Sequence, residues 1–228
     1  MIEIVPTLLE ESYDEFVSLL GRLRGARPLT GSSLMVQIDV CDGLFVKNRS
    51  WPFNPSDRAH FADIIKGDEG LPYWEDFNYE VDLMVQYPER HLSNWIAAGI
   101  SRAVIHLESK HDWALIKEAA GDTVELGVAI DLDPPLEKLQ AAVAQVNYIQ
   151  IMGVAQLGRQ GGELSEKTAP LVARVRSEFP DVTIQIDGGV NADNARLLID
   201  AGADRLVVGS HIVKASDPKE RLEDLQNL

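Results

Sequence analysis

The sequence has one cysteine, Cys41, so no disulfide can form within the chain and a cystine-stapled scaffold is excluded. Cations are scarce as well: 21 Lys and Arg stand against 36 Asp and Glu, a formal net charge of −15. Polynucleotides and anionic membranes are held by concentrated Lys and Arg, and no basic run occurs. No nucleic acid and no membrane partner is expected. No apolar stretch approaches the roughly 18 residues of a membrane span. The opening Met1-Ile2-Glu3-Ile4-Val5-Pro6 lacks the basic and apolar regions of a signal peptide, so a cytoplasmic protein is expected. Repeats, low-complexity tracts and linkers are also missing, and residues 1–228 are expected to form a single domain.

What is present is the composition of a folded protein, 45% hydrophobic and 25% charged over 228 residues. Short β-rich apolar runs alternate with segments of helical periodicity, the pattern of βαβ units around a parallel sheet. Strands are predicted at Ile2–Pro6, Leu34–Asp39, Tyr79–Met84, Arg102–His106, Glu125–Ile130, Tyr148–Met152, Thr183–Asp187 and Arg205–Gly209. Helices are predicted near Glu10–Arg24, Pro88–Ala98, Asp112–Ala120, Leu136–Ala144, Thr168–Glu178, Ala192–Ala201 and Pro218–Gln226. Gly99, Gly121, Pro134-Pro135, Pro180 and Gly202 punctuate the junctions. Eight strands, almost every one followed by a helix, favour an α/β fold of the (β/α)8 TIM-barrel type over a doubly wound sheet. One segment breaks the rhythm. Residues 47–78 are too long for a simple βα unit and carry Trp51, Phe53, Phe61, Tyr73, Trp74 and Phe77, with a helix expected at Asp57–Lys66. They either pack on the barrel or form a lid or subunit contact.

In a parallel barrel the site forms at the C-terminal ends of the strands. The polar residues falling there are Thr7, Asp39 with Asp42, Asp82, His106 with Glu108, Asp131 and Asp187. Closely spaced carboxylates in a barrel mouth repel one another unless they share a proton or a cation. Glycines follow the late strands: Gly153, Gly161 and Gly162, then Gly188 and Gly189, then Gly209 with Ser210. Loops of this kind grip phosphate with backbone N–H groups, and need no lysine to do so. Cys41 has no base placed beside it by any motif and reads as a packing residue.

Five stretches resemble the ribulose-phosphate 3-epimerase family, in that family's order: Val36–Val46, Val81–Met84, Val104–Glu108, Ile186–Asn191 and Gly202–Ser210. The resemblance implies a ribulose-phosphate-binding TIM barrel of pentose phosphate metabolism and a ketose-phosphate substrate such as D-ribulose 5-phosphate. It implies epimerisation by 1,1-proton transfer through an enediolate, with Asp39 and Asp187 as the acid and base. Thr7 stands where the family has a substrate-binding serine, and Gly188, Gly189, Gly209 and Ser210 match its phosphate grip. A homo-oligomer is also implied.

The family's divalent metal is held by two histidines and the two aspartates. Here the histidine positions are Gln37 and Asp82, the methionine under the substrate is Cys41, and a further histidine is Leu44. The set Gln37, Asp39, Asp82 and Asp187 is all-oxygen, which suits Mg²⁺ or Mn²⁺ better than Zn²⁺. Metal binding is either retained in this form or lost. The phosphate loop is rewritten as 155–162, where Arg159 either clamps the phosphate or points to water. Two other readings stay open: a lyase or decarboxylase on the same barrel, and a non-catalytic phosphosugar-binding relative.

Overall fold

The computed structural model describes residues 2–28 and 33–228. Eight parallel strands close into a barrel in chain order: β1 (Glu3–Leu8), β2 (Leu34–Cys41), β3 (Phe77–Met84), β4 (Arg102–His106), β5 (Glu125–Ile130), β6 (Tyr148–Met152), β7 (Thr183–Asp187) and β8 (Arg205–Val208). The expected (β/α)8 TIM barrel is the architecture observed. Nine α-helices lie among the described residues: α1 (Tyr13–Leu23), α2 (Arg58–Lys66), α3 (Glu89–Ala97), α4 (Trp113–Ala120), α5 (Leu136–Val143), α6 (Thr168–Glu178), α7 (Ala192–Ala201), α8 (Ser210–Val213) and α9 (Pro218–Gln226). None of them is long and apolar enough to cross a membrane.

Most predicted boundaries agree within one or two residues. The first helix starts three residues late because Ser12 caps it, its hydroxyl accepting from the Glu15 N–H. Strand β1 runs through Pro6 to Leu8, so Thr7 lies inside the strand. A proline removes one ladder donor, and its neighbours keep theirs.

Each strand is sorted by its pleat. On β2, Val36, Ile38 and Val40 enter the apolar layer between sheet and helices. Met35, Gln37 and Asp39 alternate with them and face the lumen, where Met35 packs on Val5 and Val207. The N-terminal end of the lumen is closed by ions. Arg102 meets Glu3 at 3.0 Å and Glu125 at 3.4 Å, and Arg205 meets the same two carboxylates at 3.0 and 3.5 Å.

The aromatic segment after β2 packs outside the barrel. Trp51, 1% exposed, stacks on Phe16 at 5.0 Å and meets Phe61 and Trp95 edge-on at 5.5 and 5.7 Å. Its entry loop reaches the barrel mouth, where Asn48 donates to the Gly158 carbonyl and Phe45 lies 5.1 Å from His106.

Candidate active site

Strands β2, β3 and β7 bring Asp39, Asp82 and Asp187 together, with carboxylate oxygens all within 4.8 Å of one another. Asp39 and Asp82 are register partners on adjacent strands, and Asp187 reaches them from β7. Gln37, two residues before Asp39, points into the same space. Its Nε2 donates to Asp39 Oδ1 at 2.8 Å and to Asp187 Oδ2 at 2.9 Å, so one amide bridges two carboxyls. The Thr7 hydroxyl adds a third donor, 2.7 Å from Asp39 Oδ1.

Burial drives the electrostatics. It pushes the Asp39 carboxyl up to about 7, helped by the charge of Asp82 and opposed by the Gln37 and Thr7 hydrogen bonds. Burial, then Asp39 and Asp82, raise Asp187 well above the usual carboxylate range. His106 lies 2.8 Å from Asp82 Oδ1 through Nε2. Burial opposes a charge on this imidazole, but the Asp82 charge and hydrogen bond outweigh it and raise its pKa. The other Asp82 oxygen accepts from Gln150 Nε2 at 3.0 Å.

Above this floor opens a cavity of ≈ 760 Å³ lined by Thr7, Asp39, Asp187 and all six of the expected phosphate-grip residues: Gly161, Gly162, Gly188, Gly189, Gly209 and Ser210. Arg159 and Lys214 line it as well. Asp82 and Gln37 lie beneath it, fully buried. Asp42, Glu108 and Asp131 do not join the cluster. Asp42 accepts from the Leu44, Phe45 and Gln86 N–H groups and so shapes the loop after β2, while Glu108 and Asp131 line a second depression beside Phe45.

The defining sequence pattern of the Ribulose-phosphate 3 epimerase family matches residues 27–213. The chain belongs to the ribulose-phosphate 3-epimerase family. It is 26% identical over 227 residues to the ribulose-phosphate 3-epimerase of Schizosaccharomyces pombe, covering 99% of this chain and 92% of that one. It is 25% identical over 232 residues to the Bacillus subtilis protein of the same name, covering 99% of each. Among solved structures, a KGPDC from Streptococcus mutans superposes with a TM-score of 0.71 at 11% identity, covering 99% of this chain and 96% of that one. The 3-hexulose-6-phosphate synthase from Salmonella typhimurium gives 0.69 at 13%, covering 99% and 97%. At such identities these two speak for the barrel alone.

Ribulose-phosphate 3-epimerases use a divalent metal, and by spacing the buried Asp triad could hold an ion. The fourth residue expected to join it does not fit. Gln37 turns its –NH2 toward Asp39 and Asp187, while its carbonyl oxygen faces down the lumen to Gln185 Nε2 at 3.3 Å. An N–H group offers no lone pair to a cation. The all-oxygen set of four is therefore three carboxylates and one donor.

Glu80, Tyr148, Gln150, Gln185 and Lys214 are outside the set expected from the sequence. The first four form a polar layer under the site, and for two of them the signal is spacing: Glu80/Asp82 and Gln185/Asp187 repeat the polar pair Gln37/Asp39, two apart on buried strands.

Cys41 is fully buried, and burial together with Asp39, Asp82 and Asp42 pushes its thiol up. The native protein is expected to leave iodoacetamide unreacted, with one thiol per chain appearing after denaturation. Alkylation of the folded protein within minutes would contradict this packing role.

Proposed function

We propose that the chain is a sugar-phosphate 3-epimerase that interconverts D-ribulose 5-phosphate and D-xylulose 5-phosphate through an enediolate. The observation that carries this reading is the pair Asp39 and Asp187, facing a cavity of ≈ 760 Å³ from two separated strands and joined by one amide. Epimerisation needs one carboxylate to take the C3 proton and one carboxylic acid to return a proton on the opposite face. Burial, with the charges of the neighbouring carboxylates, raises both groups, which favours keeping a proton in the pair over two bare charges. Each carboxyl can start as base or acid, as a reversible inversion requires.

Backbone N–H groups of the glycine loops after β6, β7 and β8 hold the phosphate, with Arg159 and Lys214 supplying charge. This is how a chain of net charge −15 accepts an anion. If a divalent ion binds in the family manner, Asp39, Asp82 and Asp187 would hold it, and it would offset negative charge on the enediolate oxygens.

The test is proton NMR in D₂O with ribulose 5-phosphate. Deuterium entering at C3 alongside xylulose 5-phosphate is the expected result. Saturable binding with neither exchange nor epimer would assign the protein to phosphosugar binding instead.

A further inference from the structure

The epimerisation chemistry leaves four polar side chains beneath the carboxylates unused: Glu80, Tyr148, Gln150 and Gln185, each with no exposed surface. They form one hydrogen-bonded chain. The Tyr148 hydroxyl donates to Glu80 Oε2 at 2.8 Å and Gln185 Nε2 donates to Glu80 Oε1 at 2.6 Å. The same Gln185 nitrogen faces the carbonyl oxygens of Gln150 at 2.8 Å and of Gln37 at 3.3 Å.

That arrangement fixes which way each amide points. Glu80 accepts on both oxygens, from Tyr148 and from Gln185, and so turns the –NH2 of Gln185 toward itself. Gln185 then draws the carbonyls of Gln37 and Gln150 downward and leaves their N–H groups pointing up. Gln37 spends them on Asp39 and Asp187, and Gln150 spends one on Asp82. Turning Gln37 over would set –NH2 against –NH2 below and a carbonyl against two carboxyls above. The lock leaves Gln185 Oε1 without a partner among the described residues, so the polarity is held against the local cost of one unsatisfied acceptor.

At Asp39 Oδ1 and Asp187 Oδ2 a bridging cation would have to stand against these N–H groups, the positive end of the Gln37 amide dipole. Each Asp82 oxygen likewise has one hydrogen-bond partner, His106 on Oδ1 and Gln150 on Oδ2. We propose that Gln37 is a positioning residue that takes the bridging place of the divalent ion, holding Asp39 and Asp187 together by N–H donation, and that this centre works without a metal. The proposal rests on the reading of those two aspartates as the acid and base.

Thermal melts of the full chain in EDTA and in saturating Mn²⁺, Mg²⁺ or Zn²⁺ test it, with the exchange assay run in the same buffers. The wild-type melting temperature is expected to coincide in all of them. In Gln37→Glu the donor becomes a carboxylate, and Mn²⁺ is expected to raise the melting temperature by about 5–10 °C. A rise of that size in the wild type overturns the proposal, and that arm stands even if Gln37→Glu fails to fold. C3 exchange at full rate in EDTA supports it. Exchange lost in EDTA and restored by Mn²⁺ overturns it while leaving the epimerase reading intact. If no buffer supports exchange and no ion moves the wild-type melt, the epimerase reading falls and the amide bridge stands.

Discussion

Asp187→Asn is expected to stop C3 exchange and, at neutral pH, to make the protein more stable. The kinetic half follows from removing one of two proton-transfer groups, a loss of about 10³-fold. Thr7, Gln37 and the glycine loops are untouched, so KM changes little. The stability half follows from burial. In the unfolded chain this carboxyl ionises near the ordinary aspartate value, whereas in the fold burial and the charges of Asp39 and Asp82 raise it well above. A raised carboxyl binds its proton more tightly when folded. Its contribution is thus fully present at low pH and is lost as pH climbs from the unfolded value through the folded one. Asparagine carries no such dependence. The melting temperatures of variant and wild type should coincide near pH 4 and diverge above it, the variant leading at pH 8. A lower melting temperature for the variant at pH 8 would show instead that Asp187 holds something the fold needs, as an ion ligand does.

The same lumen shows how far the sequence could be read. Parallel strands buried on both faces leave apolar runs, so β4–β7 were legible residue for residue and the other strands to within two residues at either end. The rim aspartates were legible because the barrel rule says where to look, and the resemblance assigned their roles. Gln37 was legible as a departure but not in its action. Whether an amide offers oxygen or nitrogen depends on what lies behind it, and its partner Gln185 is 148 positions away. Glu80 and Gln185 each read as the first of a polar pair and Gln150 as one polar residue in an apolar run, with nothing local to say that they meet. Closure of the barrel joins four strands' side chains into one network, and no window along the chain contains it. The aromatic segment was ambiguous for a related reason. Its composition suits a packed layer, a lid or a subunit contact, and only the fold shows that Trp51 sits packed among Phe16, Phe61 and Trp95 while Trp74 stays exposed.

Gly189→Ala is expected to damage binding and fold together. Gly189 has φ +74°, in the left-handed region, and a Cβ built there would stand 2.4 Å from the Leu164 nitrogen and 2.7 Å from its Cα. Both contacts are backbone, so no side chain can swing aside. The segment around Gly161–Ser165, which lines the cavity opposite Gly188 and Gly189, must move to admit the methyl group. On the proposed phosphate grip by these loops, KM for ribulose 5-phosphate should rise by about 10–100-fold, with a stability loss of about 2–4 kcal/mol in urea unfolding. Gly67→Ala separates the two causes. It has φ +80° at the end of α2 and nothing within 4 Å of a new Cβ. There only the backbone strain of about 1 kcal/mol applies, and KM should not change. If the two variants lose equal stability and share the wild-type KM, the close approach of Gly189 to Leu164 does not shape the phosphate pocket. If Gly189→Ala alone raises KM, the cavity wall is built on that backbone contact, and the rewritten loop after β6 reaches the substrate through it.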